Sequence, residues 1–226
     1  IIDITERKRA ELALQRANRA LRALSECNQA AVRATDETAL FQEICQLVVD
    51  LGGYRMAWVG LSEGDEARSV RPVASAGCED GYLEATRISW ADDARGNGPT
   101  GRAIRERRPI LSRNTQIDRG FAPWRAAALE RGYAASIALP LLIDPGTCVG
   151  ALNIYSAGVD GFDDGEVRLL TELANDLAYG LRALRDRAAR TQAERALRQS
   201  AEEYRELFEA ESDAIFLIDN ETGRLL

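Results

Sequence analysis

Residues 137–155, IALPLLIDPGTCVGALNIY, carry the reading that decides the fold. Ile137 to Ile143 and Cys148 to Tyr155 are short apolar runs on either side of the turn Asp144-Pro145-Gly146. Runs of that length bounded by turn residues predict the two strands of a hairpin. A second pair lies upstream. Tyr54 to Leu61 reads as a buried strand, Ser62-Glu63-Gly64-Asp65-Glu66 as a turn, and Ser69 to Ala76 as the partner strand. Ile88 to Trp90 and Pro109 to Leu111 are candidate short strands. Before the first hairpin, Glu37, Leu40, Phe41, Ile44, Leu47, Val48 and Leu51 recur at helical spacing and stop at Gly52-Gly53. Between the hairpins, Pro99 opens a helix through Arg107 and Pro123 another through Arg131. The order α, ββ, short helices, ββ, α predicts an α+β domain built on an antiparallel sheet.

Outside this centre the pattern becomes helical and the charge changes sign. Segment 5–34 carries seven basic and three acidic residues, and 182–198 six and two. Residues 35–181 carry 14 basic and 22 acidic ones. In the first arm Leu14, Ala17, Leu21, Leu24, Asn28 and Ala31 follow a heptad seam, with Asn28 as the polar register residue. Two accounts of this arm are open: a parallel coiled coil, or a surface helix packing on its own domain. The second arm starts at Phe162-Asp163-Asp164-Gly165-Glu166, where Asp163 and Glu166 make a capping box. Its seam runs Val167, Leu170, Ala174, Leu177, Leu181, Leu184 and Ala188, loses phase near Thr191, and resumes at Leu197, Ser200, Tyr204 and Leu207. A helix of that length, on the order of 70 Å, cannot bury itself along one small domain. The expected partner is a second copy of the chain, a homodimer.

Composition removes several functions. The 226 residues include no histidine. A Ser-His-Asp or Cys-His pair, a histidine metal or haem ligand and a phospho-accepting histidine are therefore absent from this sequence. Basic residues number 29 and acidic ones 36, a net charge of −7, which opposes nucleic-acid binding. Cys27, Cys45, Cys78 and Cys148 are scattered without metal or redox spacing and are expected to be reduced thiols in a cytoplasmic protein. No apolar run approaches the roughly 20 residues of a membrane helix. The start, IIDITERKR, has no signal-peptide core and no initiator Met, and reads as part of a longer chain.

Three motifs invite chemistry. Gly96-Asn97-Gly98-Pro99-Thr100-Gly101 matches G-x-G-x-x-G, but a polar loop precedes it and Pro99 removes an N–H that a pyrophosphate would need. A glycine-rich turn capping a helix is the better account. Arg102, Arg105, Arg107 and Arg108 read as a solvated helix end, and the Asp92/Asp93 and Asp163/Asp164 pairs as loop solvation and capping. Trp58, Trp90 and Trp124, with Arg125, Tyr133 and Ser136, are the candidate lining of a small-molecule pocket, aromatics interleaved with a few polar groups. The competing account makes the tryptophans ordinary core residues.

Several segments together resemble one family: GGYRMAWVGL (52–61), GPTGRAI (98–104), FAPWR (121–125), GYAASIALPL (132–141) and GALNIYS (150–156) look like a GAF domain of bacterial multidomain sensor proteins. The flank DITERKRAE (3–11) resembles the exit of a PAS domain. EYRELF (203–208) with DAIFLID (213–219) resembles the start of another. The resemblance implies five or six antiparallel strands, terminal helices over one face and a ligand cavity on the other. It implies no enzymatic activity, a regulatory module in a sensor histidine kinase or cyclic-di-GMP protein, and no cofactor. Haem and histidine-dependent bilin readings lack their histidine. The cyclic-nucleotide signature is matched by Asn153 and Phe162 but broken by Ile154 and by a lone Glu166. GAF-type methionine sulfoxide reductases use clustered cysteines, which the four scattered ones do not reproduce. The expected organisation is a signalling-helix linker at 1–34, the GAF domain at 35–181, a coiled-coil linker helix at 182–210 and a truncated PAS start at 211–226. The expected role is signal relay through a dimeric coiled coil between upstream and downstream PAS domains, with a ligand-free dimerisation spacer or an enzyme as the alternatives.

Overall fold

The computed structural model describes residues 4–210; the PAS-like segment expected at 211–226 lies outside the described residues, as do residues 1–3. Helix α1 is Ile4–Arg33 and α2 is Glu37–Asp50, the latter opened by Asp36, whose carboxylate accepts from the Ala39 N–H. Strands β1 (Met56–Ser62) and β2 (Val70–Gly77) form the first hairpin. There follow α3 (Tyr82–Ala85), α4 (Pro99–Glu106), β3 (Ile110–Ser112), a 3₁₀ turn Arg119–Trp124 and α5 (Arg125–Glu130). The second hairpin is β4 (Ala135–Leu142) with β5 (Cys148–Ser156), and α6 runs Asp164–Ala210.

The five strands form one sheet in the order β2-β1-β5-β4-β3, and every neighbouring pair is antiparallel. The second hairpin sits at the centre because β5 pairs with β1 on one side and β4 on the other. Gly150 permits this: a Cβ there would fall 2.1 Å from the Gly60 carbonyl oxygen on β1. Ser69 and Ser89 make only an isolated bridge, so the strand expected at Ile88–Trp90 does not form. Pro123 does not open a helix either; it lies inside the 3₁₀ turn, and α5 begins after Trp124.

Alternation along each strand separates two faces. On one, Ala57, Val59, Ile137, Leu139, Leu141, Leu152 and Ile154 join Leu40, Phe41, Ile44 and Val48 of α2 and the first turns of α6 in a single apolar cluster. This corrects the reading of the α6 seam. Leu170, Leu177, Leu181 and Leu184 are buried in that cluster and Val167 packs against it, so their own sheet takes up the row assigned to a second chain. In α1 the buried row is Ala20, Ala23, Cys27 and Ala30, one residue out of phase with the predicted seam. Leu24 and Ala31 pack on the core, Ala17 is half-buried, and Leu14, Leu21 and Asn28 are exposed. The capping box at α6 forms as expected: the Glu166 N–H donates to Asp163 Oδ1 at 2.9 Å, and Glu166 also accepts from the Tyr54 hydroxyl at 2.8 Å.

The described chain divides into a compact unit that ends at Leu184 and a second unit beginning at Arg185. In the second, the described side chains through Glu206 are exposed or half-exposed, including Leu197 and Tyr204. No helix among the described residues is long and apolar enough to cross a membrane.

Candidate functional site

The other face of the sheet is chemically different. Met56 and Trp58 of β1, Val70 of β2, and Ala151 and Tyr155 of β5 meet Tyr82, Ile88, Ile104, Phe121, Trp124 and Tyr133 from the segments folded over them. Tyr133 and Tyr155 have ring centroids 4.6 Å apart, and Tyr82 meets both edge-on. The Trp58 indole N–H donates to the Tyr155 hydroxyl at 3.4 Å. Burial pushes the hydroxyl pKa of Tyr82 and Tyr155 up, so both stay protonated and neutral.

Within this face lies a small cavity between Thr100 of α4, Trp124, Ser136 of β4, and Asn153 and Tyr155 of β5. It leaves about 10 Å³ for the centre of a water molecule, room for one. The Thr100 hydroxyl donates to Asn153 Oδ1 at 2.8 Å, and Asn153 Nδ2 donates to the Ala151 carbonyl at 3.2 Å. Ser136 is 3% exposed and its hydroxyl has no hydrogen-bond partner; the same holds for Ser112, 1% exposed and directly opposite it on β3.

Two arginines hold the cover in place. Arg105 is not part of a solvated patch: its Nη1 donates to the carbonyls of Trp90, Ala91 and Gly96, and its Nη2 to Asn97 Oδ1. It thereby fixes the glycine-rich turn at the start of α4. Arg131 donates to the carbonyls of Glu79, Asp80 and Ala127, tying the loop before α3 to α5. The Tyr133 hydroxyl donates to the Cys78 carbonyl in the same loop.

Of the six predicted lining residues, Trp124 and Ser136 line the cavity. Trp58 and Tyr133 stand behind it in the aromatic cluster. Arg125 is half-buried beside Trp124 and donates from Nη2 to the Asp118 carbonyl. Trp90 lies elsewhere, in an open groove with Arg105 and Cys148, its indole N–H on the Glu63 carbonyl and Arg68 over its ring. Sequence reasoning missed Tyr82, Thr100, Phe121, Asn153 and Tyr155. Asn153 was findable as a lone amide inside an apolar strand, and Tyr155 shares its face two residues on. Nothing local marks Tyr82. All four cysteines are free, and no cluster of three or more acidic or cysteine side chains among the described residues is placed to hold a metal.

Residues 34–182 match the family model of the GAF domain. The chain belongs to the GAF family. No curated protein matches the sequence. Solved structures similar to this GAF chain include the free methionine-R-sulfoxide reductase of Neisseria meningitidis in complex with its substrate, at 20% identity and TM-score 0.63, covering 75% of this chain and 92% of that one. Another is the GAF domain of a phosphoenolpyruvate-protein phosphotransferase from Coxiella burnetii, at 17% identity and TM-score 0.61, covering 76% and 98%. A third is the nlh2 GAF domain of A. aeolicus in an inactive state, at 17% identity and TM-score 0.54, covering 74% and 96%. At these identities the likeness is one of fold.

The first of these neighbours corrects an expectation. The absence of enzymatic activity was inferred from family resemblance and missing catalytic motifs. Free methionine-R-sulfoxide reductases, that of Staphylococcus aureus among them at TM-score 0.58, are enzymes on this same fold. Membership of the GAF family therefore does not speak against catalysis. Regulatory modules and enzymes share the architecture, and the distinction rests with the site.

Proposed function

We propose that this GAF domain is the sensory module of a homodimeric cytoplasmic signalling protein, taking a small molecule on the aromatic face and relaying its presence through α1 and α6. One observation supports the reading above all: the cavity and the helices use opposite faces of one sheet, at adjacent residues. Ala138 lines the cavity and Leu139 joins the helical cluster; Asn153 lines the cavity and Ile154 joins the helical cluster. A ligand that favours one placement of β4 and β5 thus bears on the packing of the helices one residue away. Leu14 and Leu21 remain exposed on α1, and Leu197 and Tyr204 on α6, at heptad spacings that suit a second copy. The reading assigns 1–34 and 182–210 as signalling helices and places PAS domains before and after them.

Sedimentation velocity at high micromolar concentration tests the dimer: a dimer is expected, dissociated by Leu21→Glu, and a monomer refutes it. The small closed cavity favours a second reading, a dimeric spacer without ligand. Native mass spectrometry of freshly purified protein separates the two. A small-molecule adduct that disappears on unfolding supports the sensor, and a bare polypeptide mass supports the spacer.

A further inference from the structure

We propose that the cavity beneath Trp124 takes a small uncharged molecule carrying a hydrogen-bonding oxygen, and rejects anions and zwitterions. This rests on the ligand-taking reading above and adds the class of ligand. No Asp, Glu, Lys or Arg side chain lines the cavity, and its phenols are held neutral by burial. An ion entering it would lose its hydration without gaining a counter-charge. Arg125 is the nearest cation along the chain, but it is not in the wall; its Nη2 donates to the Asp118 carbonyl, and its buried Nε has no partner, so Arg125→Gln is one of the test variants.

What the cavity offers is neutral polarity. The buried Ser136 hydroxyl, which lines the cavity and has no partner, both donates and accepts. Pro99 and Thr100 bring the first turn of α4 to the wall, and no side chain caps that turn. The partial positive charge there suits the partial negative charge of a carbonyl or hydroxyl oxygen. Around these groups Tyr82, Phe121 and Trp124 supply flat apolar walls. As the closed cavity has room for one water, such a molecule enters by moving Trp124. That ring rests over Gly98, where a Cβ would fall 2.2 Å from it.

The probes are shape-matched fragments: benzamide and benzyl alcohol against benzoate and benzylammonium, with methionine sulfoxide as a zwitterion. Their binding is read from the three tryptophan indole N–H signals in ¹H–¹⁵N spectra, assigned with Trp→Phe variants. Trp90 is the internal control, because its indole lies in another groove. Benzamide is expected to shift the Trp124 signal and leave Trp90 in place, with benzoate at least about tenfold weaker. Ser136→Ala is expected to weaken benzamide by about three- to tenfold. Benzoate or methionine sulfoxide binding at Trp124 as tightly as benzamide overturns the proposal while leaving the ligand-taking reading standing, most plainly if Arg125→Gln abolishes that binding. If no fragment of any charge shifts Trp124, both are overturned. The comparison of fragments uses wild-type protein, so it stands whether or not a variant folds.

Discussion

The two faces of the sheet are made of the same five strands and solve opposite problems. The helical face is mainly aliphatic, with Leu139, Leu152, Leu177 and Leu181 all at 1% exposure or less and only Phe41, Tyr54 and Phe162 as aromatic members. It is close-packed in the manner of a core that exists to be stable. The opposite face is aromatic and polar. It leaves two buried hydroxyls unpartnered and is covered by short segments held by arginine side chains on backbone carbonyls. Native proteins rarely leave buried polar groups unpaired, and where they do the site calls for an explanation. On the proposed reading, stability resides on one face and the capacity to bind on the other.

The largest effect that tests this contrast is in the aliphatic core. Leu177→Ala should cost about 2–5 kcal/mol, measured by urea denaturation. Ser136→Ala on the other face, which removes a buried hydroxyl that has no partner, should cost no more than about 0.5 kcal/mol. Equal losses would erase the distinction between the faces.

Next comes pH. Burial, the first cause for both, pushes the Cys27 and Cys45 thiols up to about 12 from an ordinary value near 9. A raised pKa means that stability is fully present below the unfolded value and is lost as pH rises through the folded one. The buried tyrosines shift the same way. Unfolding free energy should therefore fall steeply from about pH 9 towards pH 12. In native protein at neutral pH, Cys27 and Cys45 should resist alkylation while Cys78, less buried, is labelled first; equal labelling rates would contradict the placement of α1 on α2.

Arg105→Met should cost about 1–3 kcal/mol. Its signature is local: faster amide exchange across residues 90–98, with the helical face unchanged. The smallest effect on folding belongs to the second unit, where breaking the exposed Arg190–Glu194 pair, 2.9 Å apart, should change stability by no more than about 0.5 kcal/mol.

The contrast between faces also explains what the sequence made legible. Apolar runs and turn residues located β1, β2, β4 and β5 to within about two residues, because continuous apolar stretches and turns such as Asp144-Pro145-Gly146 are local signals. The α6 periodicity was read correctly as a seam and assigned to the wrong partner. A leucine row looks the same whether it meets a second helix or its own sheet, and only the tertiary fold decides. The site was read less well, because its residues come from five separate segments. Trp90 and Trp124 are equally conspicuous along the chain, yet the loop that Arg105 clamps carries Trp90 into a different groove. The quieter Thr100 and Asn153 form the buried polar pair.

The measurement that bears most directly on the coupling of the two faces is hydrogen–deuterium exchange of wild-type protein with and without saturating benzamide. Coupling through one sheet predicts slower exchange in residues 86–101 and 119–124 over the cavity, and also a change in α1 around 20–31 and in α6 around 167–184 on the opposite face. Protection confined to the cavity side, with the helices exchanging as before, would contradict it.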